Sequence, residues 1–205
     1  MLQITNLNFA NNQIGDAGAT RVSQMQNITT LNLSANGIGE TGAKHIAQMP
    51  HIKYLNLAQN QIGETGAAYI AHMHRITTLD LSFNDIGDDG CAEMTQMPKI
   101  TNLNLRSNQI TDKGARHISE IAGITDLNLA DNAITHEGAL YISRILGITN
   151  LNLRFNEIRA TGAAYISQMQ GIKNLNLQSN RIGEDGARYI SEMRGIRSLD
   201  MASIK

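Results

Sequence analysis

Ile28-Thr29-Thr30-Leu31-Asn32-Leu33-Ser34-Ala35-Asn36-Gly37-Ile38 carries two periodicities side by side. Leu31 and Leu33 alternate with polar neighbours, the period of a short strand buried on one face. Beyond Asn36 the apolar residues Ile38, Ala43, Ile46 and Met49 fall at helical intervals, the period of a short amphipathic helix. The pattern returns every 24 residues without insertion or deletion, setting Asn at 12, 36, 60, 84, 108, 132, 156 and 180. Gly recurs in the same way at 18, 42, 66, 90, 114, 138, 162 and 186.

A strand, a turn and a helix in so few residues cannot enclose their own apolar face, so the units must stack and share one core. Strands joined through a helix pair in parallel, by right-handed crossovers. The reading is therefore an α/β solenoid curved like a horseshoe, with a parallel sheet on the concave face and short helices on the convex face. At a strand spacing of about 4.8 Å, its inner surface would be on the order of 40 Å long. That is the size of a protein epitope.

The recurring positions have structural explanations. A buried Asn where each strand exits can satisfy backbone N–H and C=O groups that have lost their ladder partners. Gly between the turn and the following Ala either permits close approach of neighbouring helices or supplies a positive φ. Asp16, Glu40, Glu64, Asp88, Asp112 and Glu184 stand where a carboxylate complements the N-terminus of its own helix.

The segment quoted above resembles the leucine-rich repeat family, whose defining stretch is LxxLxLxxNxL. Eight full copies and a truncated ninth span residues 1–205, read as one domain. The repeat length and the IGxxGA continuation look most like the ribonuclease-inhibitor-like subclass, in particular the bacterial GALA-type repeats. The resemblance implies a horseshoe whose concave face binds another protein, and leaves that protein unidentified. No F-box, kinase or membrane segment accompanies the repeats.

Composition narrows the setting. The lone Cys91 replaces an Ala of the repeat and reads as a small buried hydrophobe, pointing to a reducing compartment. With no basic-then-apolar leader at Met1 and no long apolar run, the reading is cytoplasmic, in a bacterium or in a host cell after translocation. Net charge is −1, but residues 1–143 hold 13 acids and 8 bases, whereas residues 144–205 hold 5 acids and 9 bases. This mild dipole could orient a charged partner. It is too weak, and too poor in aromatics, for nucleic-acid binding.

Function in a repeat array is sought where copies differ on a face that packing leaves free. Tyr54 and Asp126 vary the column before the first Leu of the pair. Arg106 and Arg154 vary the column after the second, and Phe83, Asp131 and Phe155 vary the position just before the Asn. Aromatics and Arg are the usual anchors of interfaces. Tyr54, Phe83, Arg106, Asp126, Asp131, Arg154 and Phe155 are therefore the candidate partner-binding residues. Two alternatives accompany them: the aromatics pack along the repeat edge, or Asp131 pairs with the arginines. Phe9, in a Leu register, belongs to the core on this reading.

No Ser/His/Asp grouping, activated Cys, phosphate-cradling loop or paired acids survive the register, so no catalytic residue, cofactor or metal is expected. His72 and His74 flank Met73 with His51 near in the repeat frame, but no Cys or carboxylate cluster completes a metal site. Tyr69, Tyr141, Tyr165 and Tyr189 form a column expected to pack along the outer helices. Met1-Leu2-Gln3-Ile4 enters directly at a strand, and Leu199 to Lys205 stops where another Asn is due. Neither end carries a polar cap, so the competing reading is a structural array, or a fragment, that associates end to end.

Overall fold

The computed structural model describes residues 4–203. The strand entry read at Met1-Leu2-Gln3, and Ile204-Lys205 at the other end, lie outside those residues. Nine strands alternate with eight helices: β1 (Asn6–Asn8), α1 (Gly15–Val22), β2 (Thr30–Asn32), α2 (Glu40–Ile46), β3 (Tyr54–Asn56), α3 (Gly63–Ala71), β4 (Thr78–Asp80), α4 (Gly87–Glu93), β5 (Asn102–Asn104). The series continues with α5 (Asp112–Ser119), β6 (Asp126–Asn128), α6 (His136–Ile142), β7 (Asn150–Asn152), α7 (Arg159–Ile166), β8 (Asn174–Asn176), α8 (Gly183–Ser191) and β9 (Ser198–Asp200). All nine strands form one parallel sheet in chain order, and each residue pairs with the one 24 positions on, as Leu31 with Leu55. The fold is the α/β solenoid that the periodicity implies, as the resemblance to leucine-rich repeats also leads one to expect.

The core runs unbroken between sheet and helices. Leu31, Leu33, Ile38, Ile46, Met49 and Ile52 of one repeat are all buried, and their counterparts continue the same layer along the stack. Phe9 departs from the reading. It keeps the register of the inner Leu, but it lies in the first described repeat with only one neighbour, and 39% of it is exposed. All three Phe residues are thus at the surface.

Asn is the pin between repeats. The Asn60 side-chain N–H donates to the carbonyls of Leu33 and Leu57 at 3.0 and 2.9 Å, one from the preceding repeat and one from its own. The Asn36 and Ile38 N–H groups both donate to Asn60 Oδ1 at 3.0 Å. One amide therefore satisfies backbone groups of two repeats at the point where no sheet ladder can reach them.

Gly recurs because of close approach. In α7 a Cβ on Gly162 would stand 2.6 Å from Ile158 Cγ2, and 3.1 Å from both Ala139 Cβ and the His136 Cα of the neighbouring helix. Any L side chain there would force Ile158 to shift and would press on the backbone of the neighbouring helix.

The acids act otherwise than expected. Each of the six lies within the first turn of its own helix, and Asp16, Asp88 and Asp112 cap the next helix along. Asp112 Oδ1 accepts from the N–H groups of Thr135 and Gly138, both at 2.8 Å, while its Oδ2 accepts from Thr135 Oγ1 at 2.7 Å. Asp88 serves Thr111 and Gly114 in the same way, and Asp16 serves Gly39 and Gly42.

Asp is short enough to turn its carboxylate onto the neighbouring N-terminus. Its presence sets the backbone there. After an Asp, the entry residues Gly39, Thr111 and Thr135 are extended, with φ of −103°, −105° and −100°. After Glu40, Glu64, His136 or Ala160, the corresponding Gly63, Gly87, Arg159 and Gly183 have φ between 57° and 64°. The hydrogen bonding shifts with it. Ala133 N–H donates to the carbonyl of Ile110 beside an extended entry, whereas Gly87 N–H donates to the carbonyl of Asn108 beside a left-handed one. Loss of such a cap costs about 1–2 kcal/mol. Asp112→Ala should lower stability by that amount in urea titration, whereas Glu40→Ala, whose side chain has no such role, should change it by less than about 0.5 kcal/mol.

Candidate functional site

Each strand ends at its third residue because a side chain there takes over from the ladder. Asn32 Oδ1 accepts from Ser34 N–H at 3.0 Å, Asn56 Oδ1 from Ala58 N–H at 2.9 Å, and Asn128 Oδ1 from Ala130 N–H at 3.1 Å. An acceptor bonded to the backbone two residues on is an Asx turn. The near-constant middle column of Asn is therefore structural at its oxygen and leaves amide donors on the concave floor. Sequence reading found the column monotonous and missed this role, although Asn before a chain reversal is its signal.

Along the concave side runs an open trough of about 490 Å³, lined by the first and middle columns from β3 to β9. Tyr54 stands toward one end, 38% exposed, and Asp126 near the centre. The carboxylates on this floor are held by the floor itself. Asp80 accepts from Ser82 N–H at 2.9 Å, Ser82 Oγ at 2.6 Å and Asn104 Nδ2 at 2.9 Å. Asp126 accepts from Thr125 Oγ1 at 2.8 Å and from Asn150 Nδ2, and Asn150 in turn accepts from Asn174.

The remaining candidates do not line the trough. Phe83, Arg106, Asp131, Arg154 and Phe155 form a rim where the chain leaves the strands and turns toward the helices. The seven residues read as one patch are thus a floor pair and a rim of five. On that rim the position before Asn has positive φ in every repeat, 58° at Phe83 and 52° at Phe155. Asn, Asp and Gly take this conformation readily, while a bulky side chain there is strained. Both rings are nevertheless outward, Phe83 39% and Phe155 42% exposed.

The arginines lie against those rings. Arg106 Cζ is 5.2 Å from the Phe83 centroid, and Arg154 Cζ is 4.4 Å from that of Phe155. The pairing with Asp131 does not form. Asp131 Oδ2 accepts from Ser107 Oγ at 2.6 Å, and the ion pairs among the described residues are Arg159–Glu157 and Arg188–Asp185. The Nε atoms of Arg106 and Arg154 are buried without a hydrogen-bond partner.

Elsewhere the surface is plainer. His72 Nδ1 lies 2.8 Å from the Ala68 carbonyl, and Arg75 Nη1 lies 3.5 Å from His51 Nδ1, an arrangement that disfavours a cation. Among the described residues, no three His, Cys, Asp or Glu side chains gather as a metal site would need. Cys91 is buried, and loss of solvent, reinforced by the Asp88 charge, pushes its thiol far above the usual range. Of the outer tyrosines, Tyr69 meets Lys44 of the neighbouring helix, while Tyr141 and Tyr189 meet Arg144 and Arg188. No helix among the described residues is long and apolar enough to cross a membrane.

Comparison with known proteins agrees with this architecture. No curated protein matches the sequence. An internalin (inlF) from Listeria monocytogenes superposes with a TM-score of 0.74 at 22% identity, over 90% of this chain and 51% of that one. A plant peptide hormone receptor, RGFR1, solved in complex with RGF2, superposes with a TM-score of 0.57 at 13% identity, over 90% of this chain and 34% of that one. The chain spans about half the length of the internalin and about a third of the receptor, and at these identities the likeness is one of fold. One leucine-rich repeat family model matches residues 26–86, and a second matches residues 4–23, 96–119, 124–143, 148–167 and 172–191. With the repeats matched over most of its length and the Asn-pinned parallel sheet in place, the chain belongs to the leucine-rich repeat family.

Proposed function

We propose that the chain is a non-catalytic protein-binding module, one domain throughout, that holds a protein partner on its concave trough and the adjoining rim. The observation that carries this reading is the pair of Arg–Phe clusters. Exposed aromatics on strained backbone, each under an arginine without a carboxylate, are more than packing requires. Leucine-rich repeats typically serve in protein–protein interaction, and RGFR1 shows the same fold in complex with a partner.

The finer assignment is a ribonuclease-inhibitor-like, GALA-type repeat protein acting as a bacterial effector-like scaffold in the cytosol. The repeat length and the lone buried Cys91 support it. In affinity capture from candidate lysates, the Phe83→Ala, Arg106→Ala, Arg154→Ala triple variant should lose the proteins retained by the parent chain. Its thermal midpoint should stay within a few degrees, since the substitutions lie outside the core. Undiminished capture by the triple variant would sink the reading.

A second reading, end-to-end self-association, is favoured by the outermost strands. Among the described residues β1 and β9 each pair on one side only, and Leu199 in β9 is 39% exposed. Light scattering over a range of concentrations separates the two. A mass independent of concentration removes this second reading.

A further inference from the structure

We infer that the rim selects an extended acidic polypeptide segment carrying two carboxylates three or four residues apart, one for Arg106 and one for Arg154. This rests on the concave-face reading and specifies the chemistry of its partner.

Charge satisfaction is uneven across the site. Asp80 and Asp126 on the floor and Asp131 on the rim all accept hydrogen bonds from neighbouring side chains. Asp85, one turn beyond Phe83, accepts from Gln109 Nε2 at 2.6 Å. The two guanidinium groups are different. Among the described residues neither is in an ion pair, each has a buried Nε without an acceptor, and each lies over an aromatic ring, with Cζ 5.2 and 4.4 Å from the centroid. The buried Nε is out of a partner's reach, but the Nη groups of both arginines are outside that buried set and carry no hydrogen bond among the described residues, so they are the donors open to an acceptor. A planar guanidinium is matched by a carboxylate that can take two N–H groups at once. The ring beneath each one restrains where it sits before a partner arrives.

Spacing gives the second constraint. Arg106 belongs to the fifth repeat and leans back over Phe83 of the fourth, while Arg154 stays over Phe155 of its own, the seventh. Two to three strand spacings, about 10–14 Å, therefore separate the two guanidinium groups. A helical segment would present an acid i, i+7 pair at about this distance, but it would need depth. The trough is open, and the Asn128 and Asn152 amide donors left over from the Asx turns stand on its floor, which suits exposed main-chain carbonyls. In an extended or polyproline II segment, three or four residues advance about 9–13 Å. Ala130, in the repeat between the arginines, is buried and leaves the path level.

The test uses the whole chain and fluorescent peptides on an Ala–Pro background, each with two Glu that are adjacent, three apart, four apart or eight apart. Anisotropy should show the three- and four-residue spacings binding at least about fivefold tighter than the others, with the preference fading in high salt as screened charge pairs do. Arg106→Gln with Arg154→Gln should weaken the best peptide about tenfold or more, which corresponds to about 1.4 kcal/mol or more. The control Lys113→Gln with Arg116→Gln removes the same charge from α5 and should leave affinity within about twofold. Affinity independent of spacing, equal loss in the control, or no binding to any peptide would each overturn the inference. If peptides fail while the triple variant still loses its captured protein, the acid spacing falls and the concave reading stands. If both fail, both fall.

Discussion

Asn108→Ala should lower unfolding free energy by about 3–5 kcal/mol, the larger of the two strongest effects expected in this chain. Asn108 is fully buried. Its Oδ1 accepts from the N–H groups of Asn84 and Ile86 at 3.1 and 3.2 Å, and its Nδ2 donates to the carbonyls of Leu81 and Arg106 at 2.9 and 3.2 Å. Ala removes the amide and strands the N–H groups of Asn84 and Ile86 in the interior, while the Leu81 and Arg106 carbonyls keep bonds from Asn84 Nδ2 and the Phe83 N–H. Each buried orphan costs about 1–3 kcal/mol, and partial relaxation keeps the total below the sum. Stability in a solenoid is carried by nearest-neighbour interfaces, so the damage should be local. Urea titration should show a lower midpoint, and amide exchange should accelerate first in the fourth and fifth repeats. Asn12→Ala provides the comparison. That residue is exposed and donates only to Phe9 and Ala10 of its own repeat, so its loss should cost no more than about 1 kcal/mol. Equal losses at the two positions would refute the pinning role.

Gly162→Leu should be nearly as damaging, at about 3 kcal/mol or more, although Leu is the better helix former. The cause is volume. The first carbon alone would meet Ile158 at 2.6 Å and the backbone of α6 at 3.1 Å, and backbone cannot swing aside as a side-chain end can. The substitution must prise α6 from α7. Gly37→Asn separates this cause from conformation. At Gly37 φ is 66° with nothing within 4 Å of an added Cβ, and Asn tolerates that region, so the change should fall within about 0.5 kcal/mol. Calorimetry of the two variants reads the difference directly.

The layer order was legible in the chain because Leu31, Leu33, Ile38 and Ile46 sit at positions whose two periods can be satisfied by one packing only. Asn36 was legible for a similar reason: a polar group repeated inside an apolar frame must be bonded. The roles of Asn32 and Asp112 were not. Both depend on which backbone N–H lies within reach, two residues on for Asn32 and a whole repeat on for Asp112, and composition is silent about reach. Phe83 and Phe155 were visible as deviations, but their left-handed backbone was not, since Ala35, Gln59 and Ser107 at the same position carry no sign of it. The division of the candidate residues between floor and rim had the same origin. Arg106 and Arg154 lie just past the point where an Asx turn ends each strand, at Asn104 and Asn152.

Asp88 and Asp112 decide the entry conformation of the helix that follows, so neighbouring copies carry matched instructions. Thr111 and Thr135 fill entries that are extended behind an Asp, and Gly63 and Gly87 fill entries that are left-handed behind a Glu. Copies cut from this array are therefore not interchangeable bricks. Shuffling by duplication or deletion would succeed at junctions that keep each Thr downstream of an Asp. It would fail at those that put a β-branched residue where a left-handed turn is left uncommanded. The repertoire of lengths that such a chain can sample by recombination is thus smaller than its uniform period suggests.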